Sequence, residues 1–159
     1  MTDQEKNKAL SRRWFEEVWN KSRDSAIDEM LGPAGVVHGL AETGQDLPGP
    51  AGFRQFYRQF RSGLSDIHVT VGQVIAEGDM SAGCFTARAT HAGDGLGVKA
   101  TGRRVTVTGM FMIRWKDGRI AEAWNEFDAA GLMRQITDTG AAGVTGADAS
   151  VAARPKVRA

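Results

Sequence analysis

The sequence predicts an α+β fold in which helices come first and an antiparallel sheet of consecutive hairpins follows. Three observations predict it. Large apolar side chains recur at helical spacing through Phe60, the period changes to two from Asp66 onward, and Lys116-Asp117-Gly118 separates two strand-like runs. An Asp-Gly step supplies the positive φ that a tight hairpin needs. Helices grouped ahead of strands argue for an antiparallel sheet, which leaves one face free to curl over the helices and enclose a cavity.

The elements follow in order. Thr2-Asp3-Gln4-Glu5 has the form of a capping box and opens a first helix. Leu10, Trp14 and Val18 recur at i, i+4 and i+8, with Phe15 and Trp19 one step round, and Asn20-Lys21 ends the stripe. A second, short helix is expected over Asp24 to Leu31, stopped by Gly32-Pro33. Val36-Val37-His38 reads as a short extended piece, and residues 39 to 50 as a loop rich in Gly and Pro. Phe53, Phe56, Tyr57 and Phe60 mark a third helix. Strands are expected from Asp66, over Met80 to His91, over Arg104 to Trp115 and over Arg119 to Phe127. Asp128 stands where it can cap a helix starting at Ala129. The folded domain is expected to span residues 1–136. Residues 137–159 hold Gly, Ala, Thr and basic side chains with almost no large apolar groups, and are expected to form a flexible tail.

Composition narrows the function classes. A chain of 159 residues is one domain by prior, long enough to bury a core. A net charge of +1 lacks the basic excess of a dedicated nucleic-acid surface, so no nucleic-acid partner is expected. No run of about 18 apolar residues is present, so no membrane partner is expected either. The N-terminal MTDQEKNK has no apolar core of the kind a signal peptide carries, and Cys84 is the single cysteine; both fit a cytoplasmic location. His38, His68 and His91 fall in no close ligand spacing, so no metal site is expected. Gly93-Asp94-Gly95-Leu96-Gly97 has no following Lys-Ser or Lys-Thr and reads as a hairpin tip or cavity lid, not a phosphate loop.

Several segments together carry a family resemblance: Gly49-Pro50-Ala51-Gly52-Phe53, Thr90-His91-Ala92-Gly93 followed by Ala100-Thr101-Gly102-Arg103, and Asp117-Gly118-Arg119-Ile120-Ala121-Glu122-Ala123-Trp124, with Asp128 and Leu132 to Gln135. In order and spacing, over about residues 5 to 136, the chain resembles the SnoaL-like polyketide cyclases, or ester cyclases, of the nuclear-transport-factor-2-like superfamily. The resemblance implies a cone-shaped barrel, a curved antiparallel sheet wrapped around three N-terminal helices, and a homodimer formed through the outer face of the sheet. It also implies intramolecular aldol chemistry with no metal or organic cofactor. An Asp on the last strand and a His on the preceding strand are that family's acid/base pair. Aligned on the Asp-Gly turn, those positions are Asn125 and Phe111.

The candidate site follows from that alignment. Side chains alternate along a strand, so Ala121, Ala123, Asn125 and Phe127 share one face, and Ile120, Glu122, Trp124, Glu126 and Asp128 the other. The resemblance turns the Asn125 face inward, where its amide could donate to a substrate carbonyl or enolate oxygen; satisfying a neighbouring backbone group is the competing role. Glu122, Trp124, Glu126 and Asp128 then face outward, as a hydrogen-bonded structural cluster. His38, near the cavity mouth in this fold, and His91, beside the Gly-rich loop, are the candidate general bases. Phe111, Ile113, Ala123, Phe127, Trp14 and Tyr57 are the expected ligand-binding walls, while Phe53, Phe60, Met110 and Met112 are expected mostly in the core. His68, between Ile67 and Val69, is expected to face solvent. The expected function is a cofactor-independent cyclase or isomerase acting on a small hydrophobic carbonyl or polyketide-like compound. The alternative is a non-catalytic module that binds a small hydrophobic ligand. A scaffold subunit would need an apolar outer sheet face, against which Glu122, Glu126 and Asp128 argue.

Overall fold

The computed structural model describes residues 1–137. Its elements are α1 (Asp3–Trp14) continued by a π-helical segment (Phe15–Asn20), α2 (Ser25–Met30), β1 (Leu31–His38), β2 (Leu47–Pro48), α3 (Gly49–Gly63), β3 (Leu64–Glu77), β4 (Met80–His91), β5 (Arg104–Lys116), β6 (Arg119–Phe127) and α4 (Ala129–Thr137). Apart from Thr137, which closes α4, the expected tail lies outside the described residues. No helix among the described residues is long and apolar enough to cross a membrane.

The capping box forms as the sequence implies. The Glu5 N–H donates to the Thr2 hydroxyl, and the Thr2 N–H donates to the Glu5 carboxylate at 2.8 Å. The first helix does not reach Asn20 in α geometry; it widens to a π-helix at Phe15. At the end of that segment the Arg23 N–H reaches back to the Glu17 carbonyl. The Tyr57 hydroxyl of α3 donates to the Val18 carbonyl at 2.9 Å. The Gly and Pro stretch at 39–50 is shorter than expected, because β2 and the start of α3 lie within it. Pro50 near the α3 N-terminus lacks the N–H that would have no partner there.

All six strands form one sheet, in the order β2-β1-β6-β5-β4-β3. Strands β3 to β6 are the expected antiparallel meander. The turn Asp117-Gly118 has φ of 51° and 75°, both positive, as a tight hairpin of this twist requires. The sheet is nonetheless mixed, because β1 runs parallel to β6. The chain between those strands holds α3 and the rest of the sheet, which is long enough for the crossover a parallel pair needs. Val36-Val37-His38, expected as a short extended piece, is the end of β1. Leu31 pairs with Ile120 and Val36 with Glu122, so Gly32-Pro33-Ala34-Gly35 bulges from the ladder. Further register shifts fall in β3 against β4 and in β5 against β6. The curved sheet does not close: the cone is an open wall with β2 and β3 as its edges.

Helix α1 lies across β3 and β4, and α3 across β1, burying Trp14, Phe15, Val18, Trp19, Phe53 and Tyr57 against the sheet's inner face. A buried polar chain ties the layers together. The Ser11 hydroxyl bonds the Asn7 carbonyl and the Ser81 hydroxyl, and the Trp115 indole N–H donates to Ser81 at 2.8 Å. Edge strand β3 is covered by side chains of the first helix. The Asn20 amide donates to the Val69 carbonyl at 3.0 Å and accepts from the Val69 N–H at 2.7 Å, imitating a neighbouring strand. The Arg12 guanidinium donates to the carbonyls of Val71 and Gly72. Unpaired edges of this kind are templates for aggregation, so these contacts hold the fold and protect it. Asn20→Ala should therefore lower stability in urea unfolding by about 1–3 kcal/mol, since it strands two main-chain groups of β3. An unchanged midpoint would show that water replaces the amide at no cost.

Candidate functional site

The inner face of the sheet and the helices beneath it enclose a hollow of about 80 Å³. Its walls come from α1 and the π-helical segment (Trp14, Phe15, Trp19), from α3 (Phe53, Phe56, Phe60), and from the inward positions of β1, β3, β4, β5 and β6. Among the described residues, Asn125 is the one lining residue that is neither aliphatic nor aromatic, and none that lines the hollow is a titratable acid or base. Leu40, Phe56, Phe60 and Phe127 also border an outer groove of about 720 Å³ between the 39–42 segment, α3, Leu96 and α4. These four side chains form the mouth between the two spaces. Ligand pockets usually measure about 300–1,000 Å³, so the groove is of that size and the hollow is not.

Two aromatic rings explain the small hollow. Phe111 pairs across the strands with Gly83, and Phe85 with Gly109. A Cβ added at Gly83 would lie 2.7 Å from the Phe111 ring, and one at Gly109 would lie 2.5 Å from the Phe85 ring. The glycines thus let both rings lie down against the sheet, and Phe15 packs on them with centroids 5.0 Å from Phe111 and 5.5 Å from Phe85.

Of the expected walls, Phe111, Ile113, Ala123, Phe127 and Trp14 line the hollow, as does Asn125. Tyr57 does not: its hydroxyl is taken by the Val18 carbonyl, and burial raises its pKa, so the phenol stays neutral. The outward methionines correct another expectation. Met110 is 63% and Met112 40% exposed, because strand alternation gives the inner face to Phe111 and Ile113. Alternation also fails once in β6. Trp115 pairs with Ile120 and Arg114 with Glu122, so Ala121 is a bulge residue and Ile120, expected outside, turns in to line the hollow. The walls on β4 and β5 that went unnamed (Phe85, Ala87, Ala89, Val105, Val107) were signalled by period-two spacing, once Phe111 fixes which face is inward.

Neither candidate base reaches the hollow. Val37 lines it, so the adjacent His38 projects from the opposite face of β1. There His38 Nδ1 lies 2.6 Å from Asp46 and Nε2 lies 2.9 Å from Glu122. The ring stacks on Trp124 with centroids 5.5 Å apart. Hydrogen bonding to Asp46, then to Glu122, raises the His38 pKa above its ordinary 6.5. His91 is wholly buried rather than solvated at a strand end. Its Nδ1 accepts from the Thr101 N–H at 3.2 Å and lies 2.9 Å from the Thr101 hydroxyl, fixing the loop that follows β4. Its Nε2 has no partner among the described residues, and its ring is not part of the wall. His68 is exposed, as expected.

Asn125 satisfies a neighbouring main-chain group and also borders the hollow. Its Nδ2 donates to the His38 main-chain carbonyl at 3.3 Å, and its side chain still borders the hollow. That bond spends one N–H and leaves the other N–H and the carbonyl oxygen for a guest. Of the four outward residues, Glu122 also accepts from Arg114 at 2.6 Å, Trp124 lies between His38 and Arg114, and the Asp128 carboxylate caps α4 by accepting from the Gly131 N–H at 2.8 Å, while Glu126 is exposed. Among the described residues no group of three His, Cys, Asp or Glu could hold a metal ion.

An open, curved sheet over N-terminal helices, with an apolar hollow between the two layers and a mouth beside α3 and α4, defines a cone-shaped α+β fold. The family model for SnoaL-like polyketide cyclases matches residues 9–136, and the chain belongs to that family. Among solved structures it is similar to a proposed SnoaL-like polyketide cyclase from Jannaschia sp. CCS1, with a TM-score of 0.77 and 22% identity over 86% of this chain and 94% of that one. TsrD from Streptomyces laurentii superposes with a TM-score of 0.73 and 28% identity, over 86% of this chain and 98% of that one. IdmH from Streptomyces antibioticus, a proposed polyketide cyclase, gives 0.69 and 28%, over 80% and 96%. No curated protein matches the chain.

If Phe111 sets the size of the hollow, Phe111→Ala should cost about 3–5 kcal/mol and create a dry cavity. Benzene should then raise the melting temperature of the variant by more than that of the wild type. Equal responses would show that the ring does not fill the space.

Proposed function

We propose that this chain holds a hydrophobic carbonyl compound in the outer groove, with its reacting end passed through the mouth to Asn125, and promotes its ring closure or isomerisation without a cofactor, Asn125 holding the reacting oxygen. One observation carries the reading: a wall of aliphatic and aromatic side chains interrupted by a single amide. In a dry site, one well-placed donor to a developing enolate oxygen contributes on the order of 2.7–4 kcal/mol. Holding one molecule folded with its reacting ends in contact lowers the barrier further by restricting bonds that would otherwise rotate freely. The walls provide no base, so the proton lost from carbon passes to water at the mouth or to another group of the substrate. Family membership supports the reaction class.

A second reading, retention of a hydrophobic ligand without turnover, is favoured by the absence of titratable side chains from the wall. An aromatic polyketide methyl ester with a free side-chain ketone separates the two. Turnover predicts a ring-closed product whose formation falls by about 10²–10³ in Asn125→Leu. Binding with the ester recovered intact supports retention. No binding at all removes both readings.

The same proposal includes a cytoplasmic homodimer joined through the outer sheet face, where the exposed Met110 and Met112 sit beside the exposed, free Cys84. Light scattering should give twice the chain mass, and Met110→Lys should shift it toward one. A monomeric wild type at micromolar concentration would overturn this.

A further inference from the structure

We infer that His38 is the positioning residue of the cavity mouth, its ring fastening the 39–46 segment to the sheet while its carbonyl orients the Asn125 amide. The inference rests, for its effect on ligands, on the groove and the hollow, joined at the mouth, being the binding site.

The ring contacts are chemically restrictive. Both ring nitrogens face carboxylate oxygens, Nδ1 that of Asp46 and Nε2 that of Glu122. A neutral imidazole has one N–H, so only the doubly protonated ring satisfies both. The charged groups in contact around the ring come from three elements. Asp46 comes from the segment ahead of β2, Glu122 from β6, and Arg114 from β5. The Arg114 guanidinium bonds the other Glu122 oxygen, lies 3.7 Å from Asp79, and covers the far part of the cluster by stacking 5.5 Å from the Trp124 ring. Two acids, one just ahead of β2 and one on β6, thus meet at the imidazole of the last residue of β1.

The segment so fastened is the one that carries Leu40, a wall of both the hollow and the outer groove. Its first residue, Gly39, has a φ of 82°, and a Cβ there would overlap the Asn125 main-chain carbonyl. One end of the segment is therefore pressed against Asn125, and the other is tied to His38 through Asp46. The His38 carbonyl bonds the Asn125 side chain. Wall, amide and clamp meet at one residue.

The sign of the pH effect follows from the raised pKa. Stabilisation by a group whose pKa is raised on folding is complete below the unfolded value and is lost as pH rises through the folded one. The mouth segment should be held firmly below pH 6.5 and loosen above it.

The test uses the full chain and acetophenone as probe. Hydrogen exchange of amides 39–46 should speed up as pH rises through the His38 titration, after correction for intrinsic exchange, and the ring should show two N–H signals by NMR below it. Because Asp46 is 59% exposed, the acetophenone affinity should weaken only roughly two- to five-fold across that window. His38→Gln and Asp46→Asn should each remove the pH dependence of both readouts, and Glu122→Gln should lower the His38 pKa. A pH response unchanged in His38→Gln, or a singly protonated ring throughout, would overturn the inference. Acetophenone that binds through Asn125 with no pH dependence would sink the clamp and leave the binding reading intact. No acetophenone binding would sink the binding reading, while exchange at 39–46 would still decide the clamp.

Discussion

How Phe85 and Phe111 lie across the glycines opposite them sets what the rest of this structure can do. A strand interior gains little from glycine on its own, because glycine loses the most conformational freedom on ordering. Here the loss is offset by area. Each missing side chain makes room for a ring to lie against the backbone, and Phe15 closes over both. The sheet can then curve around the helices with its inner face apolar, and the space left over is about 80 Å³.

That apolar lining sorts the chemistry by face. A charge on the inner face would have to be desolvated without a partner, which costs more than any single contact returns. The ionisable groups accordingly collect on the outer face, where Asp46, His38, Glu122, Arg114 and Asp79 form a continuous chain over Trp124. These groups remain partly hydrated and are worth little individually to stability. Asn125 is the exception that reaches inward, and it does so with one N–H already held by the main chain of β1. A neutral amide is the kind of polar group such a wall can tolerate, because it has no charge to desolvate.

The helical layer is fastened by the same economy of polar groups. Asn20 and Arg12 engage the exposed main chain of β3, and Tyr57 engages a helix-end carbonyl that the π-helical segment leaves over. Each of these side chains meets a main-chain group that would otherwise be stranded or exposed, so the open sheet is stable without closing on itself.

The sequence by itself determined whatever depends on neighbours a few residues apart. It specified the capping box at Thr2, the cap at Asp128, the Asp117-Gly118 hairpin, the change of period at Asp66, and the α+β class that follows. It also specified that Ala123, Asn125 and Phe127 share a face with one another, since alternation is a local property of an extended backbone. Alternation misplaced Ile120, because one extra residue in β6 reverses the face and nothing in the local pattern marks it. Only the tertiary structure decided the parallel pairing of β1 with β6, the rings set over Gly83 and Gly109, and the turning of His38 toward Asp46 and Glu122. Glu122 lies 84 residues away along the chain, and Gly83 faces Phe111 only because two strands pair in one register. Contacts of that kind are set by how whole elements pack, and no short stretch of sequence encodes them.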